Sequence, residues 1–171
     1  MKVYRKILTY ANLAAQIEKE KAQGKSIVFA TGCFDILHAG HLIFLDFAKS
    51  QGDILIVGVG SDLTIKKLKG PTRPVHNEAL RSSMLAALEC VNYVVVNNED
   101  IVDMKIDFSE AMSLIQPHYF VCPYDDKVIE KKQALVEQYG GKLVKFYEHK
   151  TGELSSLSTT TIIHKVQEGG A

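Results

Sequence analysis

Five short apolar runs, separated by helical patterns, constrain the fold more than any other feature of this chain. They cover residues 27–30, 54–59, 93–96, 119–122 and 143–147. Short runs without polar alternation are what strands look like when both of their faces are buried. Between the runs, apolar residues recur at helical spacing. They do so over 42–50, over 77–88 (Leu80, Met84, Leu85, Leu88), over 109–115, over 126–139 and over 159–167. Residues 10–23 predict one more helix before the first run, with Gly24 at its C′ position. Strands alternating with helices predict an α/β fold: one doubly wound domain with a mainly parallel five-stranded sheet and helices on both faces. A length of 171 residues suits one such domain, 1–171, with 1–24 as an N-terminal helical extension.

The segment Thr31-Gly32-Cys33-Phe34-Asp35-Ile36-Leu37-His38-Ala39-Gly40-His41 joins the first strand to the helix that follows it. Two histidines three residues apart therefore open a helix directly after a strand. Free backbone N–H groups and the positive end of the helix dipole converge there, which suits an anion. Gly40 lets a phosphate come close to the backbone, and the i, i+3 spacing sets both imidazoles on one face. Thr31, Gly32, Cys33 and Phe34 are expected to border the same spot. Incidental histidines at a helix start and a metal site are the competing readings. His-Ala-Gly-His lacks the i, i+4 pair and the carboxylate base of a HExxH zinc site, so no metal ligands are assigned.

Lys plus Arg number 20 and Asp plus Glu 20, so the formal charge is zero. That argues against a general nucleic-acid binder, which carries a basic surplus. No apolar stretch reaches the roughly 18 residues of a membrane span, and the N-terminal stretch is not a signal-peptide core. Cys33, Cys90 and Cys122 are widely spaced and form neither a disulfide framework nor a zinc signature. The expectation is a reduced, cytoplasmic protein in which Cys33 and Cys122 are packing residues.

Three further segments bear on an anion site. Gly58-Val59-Gly60-Ser61-Asp62-Leu63 has Leu63 where a dinucleotide fingerprint needs a third glycine, and no GxxxxGK[ST] occurs, so neither a Rossmann NAD site nor a P-loop is expected. Asp62 is either a nucleotide contact or a turn residue. Residues 66–74 read as a basic, turn-rich loop after a strand end, where such sheets bind ligands. Its Lys66, Lys67, Lys69 and Arg73 could neutralise phosphates, Lys69 first among them. Arg81 either reaches the phosphates or snorkels beside the core. Ser158 is a good N-cap before Thr159 and Thr160, and a helix start rich in hydroxyls makes a second anion site.

Residues 31–41 resemble the GxFDxxHxGH signature of the HxGH nucleotidyltransferases, the cytidylyltransferase-like superfamily. Ser158-Thr159-Thr160-Thr161-Ile162-Ile163 resembles that family's STTxII segment. The resemblance runs from about residue 7 to residue 166. It is greatest toward the sugar-phosphate branch typified by the adenylyltransferase domain of bifunctional ADP-heptose synthases, with Leu68-Lys69-Gly70-Pro71, Arg73-Pro74 and Tyr139-Gly140-Gly141 among the matching pieces. It implies a Rossmann-like fold with 25–167 as catalytic core, and a reaction in which an NTP and a phosphorylated small molecule give an NDP-linked product and pyrophosphate, with Mg²⁺. It further implies that His38 and His41 contact the triphosphate and stabilise the transition state. Lys69 and Arg81 would neutralise phosphates, and Ser158 and Thr159 would bind the β/γ end. A homodimer is common in the family.

The chain departs from the family pattern twice. Cys122-Pro123-Tyr124-Asp125-Asp126 replaces a Gly-Gly-Asp or Gly-Asp-Asp piece, with Asp125 the expected nucleotide contact, and residues 151–157 form a longer link than usual. Three functions are weighed. The first transfers NMP from ATP to a phosphorylated sugar such as heptose 1-phosphate, by in-line attack on the α-phosphate. The second is a CTP-dependent cytidylyltransferase acting on glycerol 3-phosphate or a related alcohol phosphate. The third is a nucleotide-binding module without turnover. All three take ATP or CTP as ligand, and neither nucleic acid nor membrane as partner.

Overall fold

The apolar runs fold as strands of one sheet in the computed structural model, which describes residues 3–97, 101–102, 105–106, 108–147 and 158–169. After a 3₁₀ turn at Val3–Lys6 come β1 (Ile7–Leu8), α1 (Tyr10–Ala22), β2 (Ile27–Gly32), α2 (Ala39–Ser50), β3 (Ile54–Gly60), α3 (Asp62–Lys69), α4 (Glu78–Ala87) and β4 (Tyr93–Asn97). A short antiparallel pair, β5 (Ile101–Val102) and β6 (Lys105–Ile106), precedes α5 (Ser109–Ile115), β7 (Tyr119–Pro123), α6 (Ile129–Gln138), β8 (Lys142–Phe146) and α7 (Thr159–Glu168).

The main sheet is parallel, in the order β1-β4-β3-β2-β7-β8. From β2 the chain winds outward through β3 to β4, then returns to the other side of β2 as β7 and β8. The winding reverses between β2 and β7, and such a switch point leaves a crevice beyond the C-terminal strand ends. Six strands stand where five were expected. The sixth, β1, pairs Ile7 with Val94 and Leu8 with Val95, and two residues are too few to make a periodic pattern.

Alternation along the strands divides the core in two. Val28 and Ala30 pack with Leu45, Ala48, Leu55 and Leu85 from α2, β3 and α4. Ile27 and Phe29 pack on the opposite face with Leu13, Ile17, Met112, Ile115 and Phe120, so α1 and α5 cover that side. Phe29 stacks on Phe120 at 5.6 Å between centroids and meets Phe108 edge-on at 6.1 Å. A Cβ on Gly58 would lie 2.9 Å from the Phe108 ring and 3.0 Å from Phe29. The glycine that mimicked a dinucleotide fingerprint is therefore there to admit two aromatic rings.

The expected basic loop begins as helix, over residues 66–69. Lys66, Lys67 and Lys69 form the last turn of α3, and Gly70 (φ 95) ends it. Cations at a helix C-terminus complement its dipole, so part of this charge is structural. Ser61 caps the helix by accepting the Thr64 N–H at 3.2 Å. At 8 residues α3 is too short for an apolar stripe to stand out from its lysines.

Two glycines at helix exits predict contrasting penalties. A Cβ on Gly141 would run into the backbone carbonyl of Pro117, whereas one on Gly24 would meet nothing, but at φ +74. Gly141→Ala is expected to lose about 3 kcal/mol of unfolding free energy, at the upper end of overpacking costs. Gly24→Ala should lose about 1 kcal/mol, the cost of the left-handed backbone alone. Urea denaturation of both variants checks the ranking.

Candidate functional site

The start of α2 is held open. His38 is its N-cap residue, in extended conformation (φ −143, ψ 170), and its side chain accepts no N–H of the first turn. Thr9, Ser61, Asn77 and Ser158 cap α1, α3, α4 and α7 with side-chain oxygens. The His38 carbonyl accepts the N–H groups of His41 (2.9 Å) and Leu42 (3.2 Å), which starts the helix without blocking its positive end. The two imidazoles stack with centroids 3.9 Å apart and planes 25° apart. Phe34, in the left-handed region at φ 47, sets its ring against His41 at 5.2 Å. The same ring covers Gly32, where a Cβ would lie 2.8 Å from it.

A cleft of about 270 Å³ opens at this point. Thr31, Gly32 and Phe34 at the end of β2 form one wall, with His38, Gly40, His41 and Phe44 from α2. Pro123, Tyr124, Asp125 and Phe146 close it from the ends of β7 and β8. The cleft thus lies at the switch point of the sheet. Asp126, next to Asp125, is committed elsewhere: it accepts from Lys132 Nζ (2.7 Å) and the Val128 N–H (3.0 Å) at the start of α6.

Burial, the neighbouring His38 and the charge of Lys69 together lower the His41 pKa from 6.5 to about 4, against a weaker opposing hydrogen bond with the Ile36 backbone. Its imidazole is therefore neutral at neutral pH. A neutral imidazole can offer a ligand hydrogen bonding but not full positive charge. Lys69 does not line the cleft and is exposed at the end of α3, yet its charge is felt at His41.

Arg81 neither snorkels nor lines the cleft. It is wholly buried. Its Nε donates to the His76 carbonyl (2.9 Å), Nη1 to Cys33 (2.7 Å), and Nη2 to Gly60 (2.8 Å) and to Asp62 Oδ1 (2.7 Å). Four of the five guanidinium N–H groups are thereby used inside the protein. Asp62 gives Oδ1 to the same contact, while its side chain stays 38% exposed. Cys33 contributes its carbonyl to this clamp, and its side chain is not part of the cleft wall. Cys122 is buried at the end of β7, and burial pushes its thiol up to about 11, as suits a packing residue.

Asp35 carries weight that the sequence reading missed. It is buried, and its carboxylate accepts from Arg73 Nε (2.5 Å) and from the N–H groups of Val75 (2.8 Å) and His76 (3.0 Å). His76 donates Nδ1–H back to the Asp35 carbonyl at 2.9 Å. Burial raises the Asp35 pKa, but the His76 N–H, the Arg73 guanidinium and the Val75 N–H outweigh it and hold the carboxyl below its ordinary value. An acid inside an apolar motif needs such partners. Residues 70–76, which continue from the α3 lysines, are fastened in this way to the end of β2.

Ser158 caps α7 as expected, accepting the Thr161 N–H at 3.1 Å. Ser158, Thr159 and Thr160 are not among the described residues that wall the cleft, and α7 buries none of its residues. Residues 151–157, the longer link, lie outside the described residues.

Comparison with known proteins places this geometry. A family profile described as cytidylyltransferase-like matches residues 29–165. Bifunctional protein HldE of Geobacter metallireducens is 42% identical over 163 residues, 94% of this chain and 31% of that protein. HldE of Aliarcobacter butzleri is 42% identical over 159 residues, 90% of this chain and 30% of its own length. The chain spans about a third of the curated relatives it matches. Among solved structures, the lipopolysaccharide core biosynthesis protein of Thermoplasma volcanium superposes with TM-score 0.64 at 28% identity, over 74% of this chain and 100% of that one. Pantoate-beta-alanine ligase of Francisella tularensis, complexed with beta-gamma ATP and beta-alanine, shares the fold at TM-score 0.60 and 17% identity, over 95% and 77% of the two chains.

The depressed His41 pKa has a signed consequence for stability. Between about pH 4 and 6.5 the unfolded imidazole binds a proton that the folded one does not. Stability therefore rises with pH through that window and is lost as pH falls through it. Going from pH 7 to pH 5 should cost about 2 kcal/mol through this residue. Urea unfolding at both pH values should show a smaller acid loss for His41→Gln than for the parent, and equal losses refute the assignment. Arg81→Met should cost about 3–5 kcal/mol by the same measurement, because it leaves buried carbonyls and Asp62 without their donor.

Proposed function

The chain belongs to the cytidylyltransferase-like family, and we propose that it is a nucleotidyltransferase that joins NMP from ATP to a phosphorylated sugar such as heptose 1-phosphate, releasing pyrophosphate. The observation that carries this reading is the stacked His38–His41 pair over an uncapped helix start, in a cleft at the switch point of the sheet. Two relatives named HldE at 42% identity, and the resemblance to the adenylyltransferase domain of ADP-heptose synthases, favour ATP and a sugar phosphate.

The chemistry asks little of a general base. A phosphate monoester has a second pKa near about 6, so it is largely dianionic at neutral pH and is already a nucleophile. Catalysis then rests on alignment and on stabilising charge as it moves to the leaving pyrophosphate. In this reading the first-turn N–H groups of α2 and the two imidazoles hold the triphosphate, with Gly40 allowing close approach. Lys69 adds positive charge from the end of α3. Ser158, Thr159 and Thr160 remain candidates for the β/γ end. Arg81 and Asp62 act indirectly, by fixing the loops. The acceptor oxygen attacks the α-phosphorus in line, and the bond to pyrophosphate breaks opposite to it.

The family resemblance also implies Mg²⁺. Among the described residues no group of three or more His, Cys, Asp or Glu is arranged to hold a metal ion, and the cleft wall has one carboxylate, Asp125. That donor set suits an ion that would be carried by phosphate oxygens and water, with no protein carboxylate at the helix-start side of the cleft. Such an ion would supply positive charge at the phosphates.

Pyrophosphate release, assayed with ATP and CTP against sugar 1-phosphates and alcohol phosphates, tests the reading. ATP with a sugar phosphate is expected to be fastest. A preference for CTP with glycerol 3-phosphate would establish the cytidylyltransferase alternative, and tight nucleotide binding without release from any pair would establish the module without turnover. His41→Ala is expected to lower kcat about 10²–10³-fold, as loss of one preorganised donor does. Near-parent turnover in that variant would remove His41 from the mechanism.

A further inference from the structure

Two tyrosines stand stacked beside the cleft without being part of the core. Tyr124 and Tyr147 have ring centroids 5.3 Å apart and planes 18° apart, and they are 43% and 60% exposed. The parallel register brings them together: Pro123 of β7 pairs with Phe146 of β8, so the next residue of each strand lies alongside the other. The Tyr124 N–H donates to the Phe146 carbonyl at 2.9 Å, which fixes the step. Phe146 in turn packs against Phe44 (5.5 Å) and Phe47 (5.1 Å) of α2. The aromatic pair is thus braced against the same helix that presents His38 and His41.

The cleft is asymmetric. Lys69 of α3 acts on the histidine side, and its charge is felt at His41. On the other side the wall offers Tyr124, Phe146 and the carboxylate of Asp125. A carboxylate repels phosphate, so this side suits the uncharged end of a ligand whose phosphates sit at the helix start. Flat aromatic surface stacks with planar rings, and an ionised carboxylate only accepts hydrogen bonds, as from a ring amino group.

We propose that Tyr124, backed by Tyr147, is the stacking platform for the nucleobase of the NTP, with Asp125 receiving the base's exocyclic amino group. The inference rests on the nucleotide reading above and specifies where the base lies. It also gives a role to the segment in which this chain replaces the family's glycines.

The sequence contains no tryptophan, so Tyr124→Trp places a single tryptophan at the platform, whose emission is read with selective tryptophan excitation. ATP should quench its emission. Inorganic tripolyphosphate should displace ATP without quenching, and a sugar phosphate added alone should leave the emission unchanged. Tyr124→Ala should weaken ATP binding about 10-fold, within the range for loss of one base stack, and leave tripolyphosphate affinity as it was. Tyr147→Ala should act in the same direction, and Asp125→Asn should weaken ATP more than tripolyphosphate. Quenching by tripolyphosphate or by sugar phosphate alone, or equal loss of ATP and tripolyphosphate in Tyr124→Ala, overturns the platform. Pyrophosphate release is scored separately. Turnover with an unchanged KM for ATP in Tyr124→Ala refutes the platform and leaves the reaction standing. Base-dependent quenching without release from any acceptor refutes the reaction and leaves the platform standing.

Discussion

The guanidinium of Arg81 is the contact on which the rest of this site depends. A charge buried to this degree is tolerated only when its donors are spent on good acceptors. Here they are the carbonyls of Cys33, Gly60 and His76 and the carboxylate of Asp62. Those acceptors sit just beyond β2, at the end of β3, at the start of α4 and at the start of α3. One side chain therefore draws together the ends of two neighbouring strands and the segments leaving them. The turn bearing Phe34 and the histidines starts from that junction, so its shape follows from a residue that never reaches the cleft.

Asp35 works beside this clamp from the opposite charge. Its partners belong to the segment between α3 and α4, and the two networks meet at His76, whose carbonyl accepts from Arg81 while its N–H donates to Asp35. The described cleft wall itself holds one carboxylate, Asp125, and no lysine or arginine. Most of the strong electrostatics is thus used to shape the backbone. The cleft wall is weakly charged, built from backbone dipoles and rings, and Lys69 outside it adds positive charge felt at His41.

Much of this was legible in the sequence because it is local or periodic. Five strands, the helices over 109–115 and 159–167, and the histidine turn all follow from apolar spacing and short-range chemistry. What escaped depends on contacts distant in sequence. β1 is a strand only because β4 lies beside it, and α3 is a helix whose lysines look like a loop. Nothing local to Arg81 says that three carbonyls converge on it. Asp35 stood inside the motif, yet its partners lie about forty residues away. The stacking of Tyr124 on Tyr147 requires the register of two strands joined through a helix, which no local pattern encodes.

The margins of the sheet have a consequence for how copies of this chain meet. At one edge stands β1, a strand of two residues, which offers an incoming chain almost no ladder. At the other stands β8, where Lys142 and Lys145 are exposed and Leu143, Val144 and Phe146 pack against the core. Truncation and lysine are two recognised ways of discouraging unwanted strand addition. A parallel, apolar sheet is an aggregation hazard while it forms, and this one ends in a stub on one flank and a charged border on the other. Among the described residues, strand addition between folded copies is thereby discouraged at both edges.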